Sequence, residues 1–223
     1  MTKEELISAA RFIQFPNSKN GYRNYSLPGS PAITRLPLTD RMYTSWSLNS
    51  NHFQTSYHID TVLPVIAEVL NIPFSRDDFT IEERKSDNGS FDISILKPQK
   101  GFTFDLYGLS TDESFLDVSY EFLTHSHLTT NGLTEYHKLY RFPHLCSRII
   151  NKSTTTSRTL FISGDSQMIP DIAPLACYFR ELWYMDNRTN KSFAELYKDI
   201  CFTDIMFELN NNAESFYLDL NLK

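Results

Sequence analysis

The chain has 223 residues, of which 41% are hydrophobic and 22% are charged, and this composition predicts one folded domain. The net charge is −6 and no basic block is present, which disfavours nucleic acid as a partner. No apolar stretch approaches the roughly 20 residues of a membrane-spanning helix. Lys3, Glu5 and Arg11 interrupt the region where a secretory signal has its apolar core, so the expected location is the cytoplasm.

The first predicted element is an irregular, extended segment that wraps around the domain. Residues Ser18 to Thr39 are rich in Asn, Gly, Ser, Pro and Tyr, and prolines at positions 28, 31 and 37 disfavour a helix. We assign residues 1–45 to this wrapping segment within a single domain, 1–223. Aromatic residues of the first half suit stacking on sugar rings and equally suit core packing: they are Tyr22, Tyr25, Tyr43, Trp46, Phe53 and Tyr57.

A helix and a hairpin are predicted next. Thr55 to Asn71 carries a helical stripe of apolar residues, with Pro64 restricted to the first turns and the end at Asn71-Ile72-Pro73. The turn signal Asp87-Asn88-Gly89 precedes an alternating apolar and polar run, which indicates a β-hairpin. We therefore assign residues 75–120 to an insertion in the domain.

The carboxyl-terminal third has the clearest pattern, because three short apolar runs alternate with two helical stretches. The first of these helices can hold Pro170 and Pro174 only in its opening turn. A strand, helix, strand order requires a right-handed crossover and parallel strands, so the class is α/β. The predicted strands are Thr159 to Ser163, Leu182 to Met185 and Ile205 to Leu209, and the predicted helices are Asp171 to Glu181 and Ser192 to Asp199.

Polar residues follow each of the three predicted parallel strands. They are Gly164-Asp165-Ser166, Asp186-Asn187-Arg188 and Asn210-Asn211-Asn212. Because parallel sheets bind ligands beyond the carboxyl ends of their strands, these three groups are expected to meet at one edge.

Ser166 is the candidate nucleophile. A serine between a strand and a helix lies at an exposed edge, and unpaired amides near a helix start can accept a developing oxyanion. Gly164 removes a side chain that would obstruct the approach of a substrate. An Asp or Ser that merely caps the helix explains these three residues about equally well.

The order of several sequence blocks adds to this pattern. Phe-Ile-Ser-Gly-Asp-Ser is followed by blocks at Pro174 to Phe179, Trp183 to Arg188 and Phe202 to Glu208. Over Leu160 to Glu208 the chain resembles the SGNH hydrolase superfamily, and within it the branch that contains the alginate O-acetyltransferases. The resemblance implies an SGNH-like (flavodoxin-like) three-layer sandwich with a central, mostly parallel sheet. It also implies that the catalytic histidine precedes Ser166 in the sequence.

Two histidines are candidates for the base that activates the serine. His52 lies 114 positions before Ser166, a separation similar to that in the family, but Ser50 stands where the family has an aspartate. His127, in His-Leu-Thr-x-x-Gly, has the better local likeness, with His125 at the aspartate's place. Order and spacing favour His52. Without the aspartate, either a backbone carbonyl or another polar group orients the imidazole, or activity has been lost.

Metal binding is not predicted. His125 and His127 are two apart and share a face on a strand, but the sequence offers no third ligand at a familiar spacing. Three widely separated cysteines form no Cys-x-x-Cys pair, so we expect reduced core residues: Cys146, Cys177 and Cys201.

Arg188 is the predicted substrate-binding residue. Its guanidinium can hold a carboxylate or phosphate in a bidentate manner, although pairing with a neighbouring acid is the more common role of such a residue. The remaining histidines are expected to be structural or exposed: His58, His137 and His144.

The resemblance predicts an O-acyltransferase that modifies a bacterial surface polysaccharide or its precursor. Ser166 would attack an acyl donor, its amide and Asn187 would stabilise the oxyanion, and Asp165 would fix the turn. Acetyl-CoA is the implied donor, no bound cofactor is needed, and a membrane-associated biosynthetic complex is a candidate partner. A carbohydrate esterase with the same site and a non-catalytic glycan-binding protein remain alternatives.

Overall fold

The structure, a computed structural model, describes residues 3–16, 21–25, 27, 29–39, 55–85, 92–108, 114–119, 146–165, 167–186 and 200–209. Helix α1 spans Lys3–Ala9, α2 consists of the consecutive pieces Thr55–Tyr57, His58–Val62 and Leu63–Leu70, and α3 spans Ile169–Ala176. The first strands are β1 (Arg11–Gln14), β2 (Ile33–Arg35), β3 (Phe79–Lys85), β4 (Asp92–Pro98) and β5 (Thr103–Gly108). They are followed by β6 (Ser114–Ser119), β7 (Cys146–Asn151), β8 (Thr159–Gly164), β9 (Glu181–Asp186) and β10 (Asp204–Leu209).

A mixed eight-stranded sheet forms the centre of the protein, with the strand order β2-β1-β10-β8-β9-β7-β5-β6. The five strands β2, β1, β10, β8 and β9 run parallel to one another. β7 pairs antiparallel with β9 and with β5, and β5 pairs antiparallel with β6. The prediction of an α/β fold with a mostly parallel central sheet is confirmed. The segment assigned to wrapping contributes β1, an interior strand, and β2, an edge strand.

The three strands predicted in the carboxyl-terminal third are β8, β9 and β10, and they run parallel as expected. Helix α3 connects β8 to β9, but it begins earlier and is shorter than predicted. Pro170 lies in its first turn, whereas Pro174 lies inside the helix, so that part of the prediction is wrong. In a helix of eight residues this proline removes one of only a few helical hydrogen bonds. The second predicted helix, Ser192 to Asp199, lies outside the described residues.

Helix α2 contains a wide turn that the sequence did not predict. Its middle piece, His58–Val62, is π-helical, and the Leu63 amide donates to the His58 carbonyl, five residues earlier. Pro64 lies in the first turn of the α-helical piece Leu63–Leu70, as predicted, although that piece continues a helix that already begins at Thr55. A regular α-turn would bring the proline ring against a carbonyl four residues earlier, and the wider turn relieves this clash. The helix ends as predicted at Asn71, whose φ of 50° is left-handed.

The predicted hairpin is present. β3 and β4 pair antiparallel from Phe79 with Pro98 to Lys85 with Asp92, and form a small separate sheet. The turn residues Asp87-Asn88-Gly89 lie outside the described residues. The assignment of 75–120 to an insertion stays a prediction, since β5 and β6 of this range belong to the central sheet.

Apolar residues fill both sides of the central sheet. Leu160 and Ile162 of β8 pack on one side in a cluster with α2 and α3. Phe161, between them in sequence, points to the other side and packs in a cluster with Leu6 of α1. This alternation is expected of a strand that is buried on both faces. The result is three layers, with helices on both sides of the sheet.

The described helices include none that is both long and apolar enough to cross a membrane. Cys177 is a buried free thiol, as predicted for a core cysteine, and burial raises its pKa well above the usual value. Cys201 is exposed, so the prediction of a core residue is wrong for it. Its position in the connection before β10, rather than in a strand, explains the difference.

Candidate active site

The carboxyl ends of the parallel strands form the edge where the sequence predicts a site. Gly164 at the end of β8 is in register with Asp186 at the end of β9. On the other side, Ser163 of β8 pairs with Phe207 of β10, so Glu208 lies next to Gly164. Gly164 and Asp186 are the first residues of the polar groups predicted after β8 and β9, and they lie next to each other as expected. The residues 187, 188 and 210–212 lie outside the described residues.

The turn after β8 is held by hydrogen bonds from several directions. The Asp165 amide donates to Glu208 Oε2 at 2.8 Å, and the Gln167 amide donates to Asp165 Oδ1 at 2.8 Å. The hydroxyl of Tyr184, on β9, lies 3.3 Å from the Gly164 carbonyl oxygen and 3.2 Å from that of Asp165. Tyr184 and Glu208 are fully buried. Two neighbouring strands thus fix the backbone on the amino-terminal side of Ser166.

Gly164 has a packing role in addition to the one predicted from the sequence. A Cβ atom added at this position would lie 2.5 Å from Glu208 Oε2 and 2.8 Å from Met168 Cβ. Both distances are too short for real side chains. Glycine therefore lets the Glu208 carboxylate approach the turn closely enough to accept the Asp165 amide.

Replacing Gly164 by alanine is expected to lower the free energy of unfolding by about 2 kcal/mol, because the methyl group must displace Glu208 or the backbone at Met168. The matched control is Gly101→Ala, since a Cβ at Gly101 meets nothing within 4 Å. Urea denaturation of the two variants measures the difference. Equal stability of both variants would show that the turn accommodates a side chain and that the close approach is not required.

Three buried carboxyl groups surround this turn. Asp165, Asp186 and Glu208 are 7%, 2% and 0% exposed. Within the described part of the chain, no group of three or more potential ligands is arranged to hold a metal ion. Negative charge on these groups would stabilise a cation that forms at this edge.

A buried histidine and aspartate form a second polar contact, which lies between α2 and α3. His58 Nδ1 and Asp171 Oδ2 form a hydrogen bond at 2.9 Å, and the two side chains are 1% and 0% exposed. Burial raises the pKa of Asp171, and the neighbouring His58 opposes this shift. From the sequence we predicted a structural or exposed role for His58 and no role for Asp171. The available signal was a polar residue within the apolar pattern of each helix.

Most of the predicted site residues lie outside the described residues. These are the nucleophile Ser166, the two candidate bases and the candidate oxyanion and substrate-binding residues, so their roles stay predictions: His52, His127, Asn187 and Arg188. His125 also lies outside the described part. Of the predicted set, Gly164 and Asp165 are described, and both lie at the expected edge of the sheet.

The aromatic residues of the first half that are described have structural contacts. Tyr57 is buried, and its hydroxyl donates to the Pro37 carbonyl at 2.7 Å. The hydroxyl of Tyr22 donates to the Leu36 carbonyl, and Tyr25 packs against the apolar cluster on the α1 side of the sheet. These contacts favour the core-packing interpretation for the three tyrosines. Tyr43, Trp46 and Phe53 lie outside the described residues.

Comparison with solved structures identifies the architecture. A DHHW family protein from Eubacterium siraeum superposes over 99% of this chain and 86% of its own, with a TM-score of 0.63 and 14% identity. The fold is SGNH-like. Bacillus cereus PatB1 with a sulfonyl adduct gives a TM-score of 0.64 at 14% identity, and PatB1 without the adduct gives 0.61 at 13%. Each PatB1 comparison covers 95% of this chain and 86% of the other.

Comparison by sequence gives no further information. No protein-family model matches the chain, and a search of curated proteins finds no match. The identities to the solved structures are low, so the likeness concerns the SGNH-like fold.

Proposed function

We propose that this protein is a serine O-acyltransferase that transfers an acetyl group to a hydroxyl of a bacterial surface polysaccharide or its precursor. The main supporting observation is the turn at Gly164 and Asp165, which buried groups of two neighbouring strands hold at the carboxyl edge of the parallel sheet. Ser166 follows this turn directly. The order of sequence blocks that resembles the alginate O-acetyltransferase branch supports the choice of acyl transfer.

The proposed reaction has two halves. Ser166 Oγ attacks the carbonyl carbon of the acetyl donor while His52 or His127 takes the hydroxyl proton. The tetrahedral intermediate collapses, the donor's leaving group departs with that proton, and the acetyl group remains on Ser166 as an ester. A glycan hydroxyl, deprotonated by the same imidazole, then attacks the ester carbonyl and takes the acetyl group, and Ser166 Oγ leaves with the proton that the imidazole returns.

A backbone amide of the turn is the proposed first donor to the oxyanion. The Asp165 amide already donates to Glu208, and the Gln167 amide already donates to the Asp165 side chain. We propose the amide of Ser166, which lies between these two in sequence, for this contact. Asn187, which follows β9, is the proposed second donor.

Buried carboxyl groups at this edge support a histidine base without the family's aspartate. When the imidazole takes the serine proton it becomes positively charged. Negative charge on Asp165, Asp186 or Glu208 would lower the free energy of that cation. We propose acetyl-CoA as the donor, Arg188 as a contact for an anionic group of the substrate, and a membrane-associated biosynthetic complex as a partner.

The proposal is tested by treating the protein with phenylmethylsulfonyl fluoride, a sulfonyl reagent that modifies activated serines, and mapping the adduct by peptide mass spectrometry. We expect a single adduct on Ser166, since a serine without an activating base is a poor nucleophile. In parallel, acetyl-CoA and an acetylated glycan are supplied separately. Transfer of acetyl from acetyl-CoA to an oligosaccharide is the expected result.

Other results point to the alternatives. Release of acetate from the acetylated glycan, with no transfer from acetyl-CoA, indicates a carbohydrate esterase, because the two activities share the serine ester and differ in the acceptor. An unmodified Ser166 together with retained oligosaccharide binding indicates a non-catalytic glycan-binding protein and overturns the proposal.

A further inference from the structure

The contact between His58 and Asp171 joins two distant parts of the chain inside the protein. His58 lies in the π-helical turn of α2, and Asp171 lies in the first turn of α3. Their neighbours in sequence Tyr57, Ile59 and Ile172 belong to the larger core cluster. The imidazole Nδ1 and the carboxyl Oδ2 form a hydrogen bond at 2.9 Å, with both side chains removed from solvent.

This contact is a costly way to hold two helices together. Asp171 Oδ1 has no hydrogen-bond partner within the described part of the chain, and an unsatisfied buried oxygen lowers stability. Burial also raises the pKa of Asp171. Apolar residues of similar volume often stabilise such an interior position as well as a buried polar pair does. What a hydrogen bond adds is a fixed direction and distance between the two helices.

Each of the two helices directly follows a segment that the proposed function uses. Helix α2 begins at Thr55, three residues after His52, and α3 begins at Ile169, three residues after Ser166. We propose that the His58–Asp171 hydrogen bond is a positioning contact that fixes α2 against α3 and thereby sets the separation of the nucleophile and the histidine base. This inference rests on the proposed function with His52, rather than His127, as the base.

Neither member of the pair is a catalytic residue. Both side chains are sealed from solvent, so neither can contact a donor or an acceptor. Their effect on the reaction is indirect and acts through the helices. A loss of alignment between reacting groups of about 1 Å can reduce the rate on the order of 100-fold.

The test uses a double variant, His58→Leu/Asp171→Ala, which nearly conserves the total side-chain volume and removes both polar groups. We expect a folded protein with a melting temperature close to that of the wild type, because both members of the buried polar pair are removed together. Its kcat for 4-nitrophenyl acetate is expected to fall about 10-fold or more with little change in KM. The rate of sulfonylation of Ser166 is expected to fall by a similar factor.

Two single variants at Asp171 provide the comparison should the double variant not fold. Asp171→Asn keeps an acceptor oxygen for the imidazole, whereas Asp171→Leu has no acceptor and is only somewhat larger. Ionisation of a carboxyl group with a raised pKa costs stability as the pH rises above its ordinary value of 3.8, so the neutral Asn variant should be at least as stable at pH 7. The Asn variant should keep kcat near the wild-type value, and the Leu variant should lose it.

Two results would overturn the inference, and they are distinguishable. If the wild type is sulfonylated at Ser166, but the double variant and Asp171→Leu are sulfonylated and cleave 4-nitrophenyl acetate at the wild-type rates, the pair is only structural. If the wild type itself is not sulfonylated at Ser166 and does not cleave 4-nitrophenyl acetate, the proposed function fails and the positioning role fails with it.

Discussion

Replacing Ser166 by alanine is expected to reduce acyl transfer on the order of 10⁴-fold or more while the melting temperature stays at the wild-type value. The loss is large because no ester can form without the hydroxyl, and the proposed base then has no proton to take. We expect the stability to stay unchanged because Glu208 and Tyr184 hold the turn at Gly164 and Asp165. Release of 4-nitrophenolate from 4-nitrophenyl acetate measures the first half of the reaction.

The matched control for this variant is Ser163→Ala. Ser163 lies three residues earlier on β8, is fully buried, and its hydroxyl has no hydrogen-bond partner in the described ranges. Its removal should leave activity unchanged and stability equal or slightly higher, since an unsatisfied hydroxyl is lost. Activity that survives Ser166→Ala would refute the assignment of the nucleophile. Equal loss in both serine variants would instead indicate a general disturbance of β8.

Replacing Arg158 by alanine is expected to lower the free energy of unfolding by about 3 kcal/mol. Arg158 precedes β8 and forms two hydrogen bonds to the Asp204 carboxylate, at 3.0 and 2.7 Å. It also donates to the carbonyls of Leu70 and Asn71 at the end of α2. One side chain thus connects the starts of two strands with the carboxyl end of a helix, where a cation is favoured.

Asp60→Ala provides the comparison for the arginine variant. Asp60 pairs with Arg76, but these side chains are 57% and 45% exposed, so solvent screens the ion pair. The loss should stay below about 1 kcal/mol. Urea denaturation of both variants gives the free energies. An Arg158→Ala protein no less stable than Asp60→Ala would mean that the contacts of Arg158 with α2 contribute nothing net.

The parallel part of the fold could be predicted from the sequence because local patterns encode it. The runs at β8, β9 and β10 are continuous and apolar, as expected of strands that are buried on both faces. The position of β1 between β2 and β10 could not be predicted, since pairing between residues so far apart in sequence leaves no local pattern. The antiparallel pairing of β7 with β5 and β9 was missed for the same reason.

The turn at Gly164 and Asp165 was found because glycine, aspartate and serine after an apolar run form a local pattern. The role of Glu208 was not found, because the contact of its carboxylate with the Asp165 amide joins residues 43 positions apart. His58 and Asp171 are separated by 113 positions, and each looked like an ordinary helical residue. Long-range polar contacts of this kind depend on how the elements pack, which single-sequence patterns do not contain.

The π-helical turn in α2 affects how this chain should be aligned with its structural neighbours. A π-turn takes up one residue more than a regular α-turn does, and residues on its two sides are offset accordingly. A relative with a regular helix at this place would need a one-residue gap within His58–Val62. An ungapped alignment would shift the facing of one half of the helix by about 100°. It would then equate buried residues of one protein with exposed residues of the other.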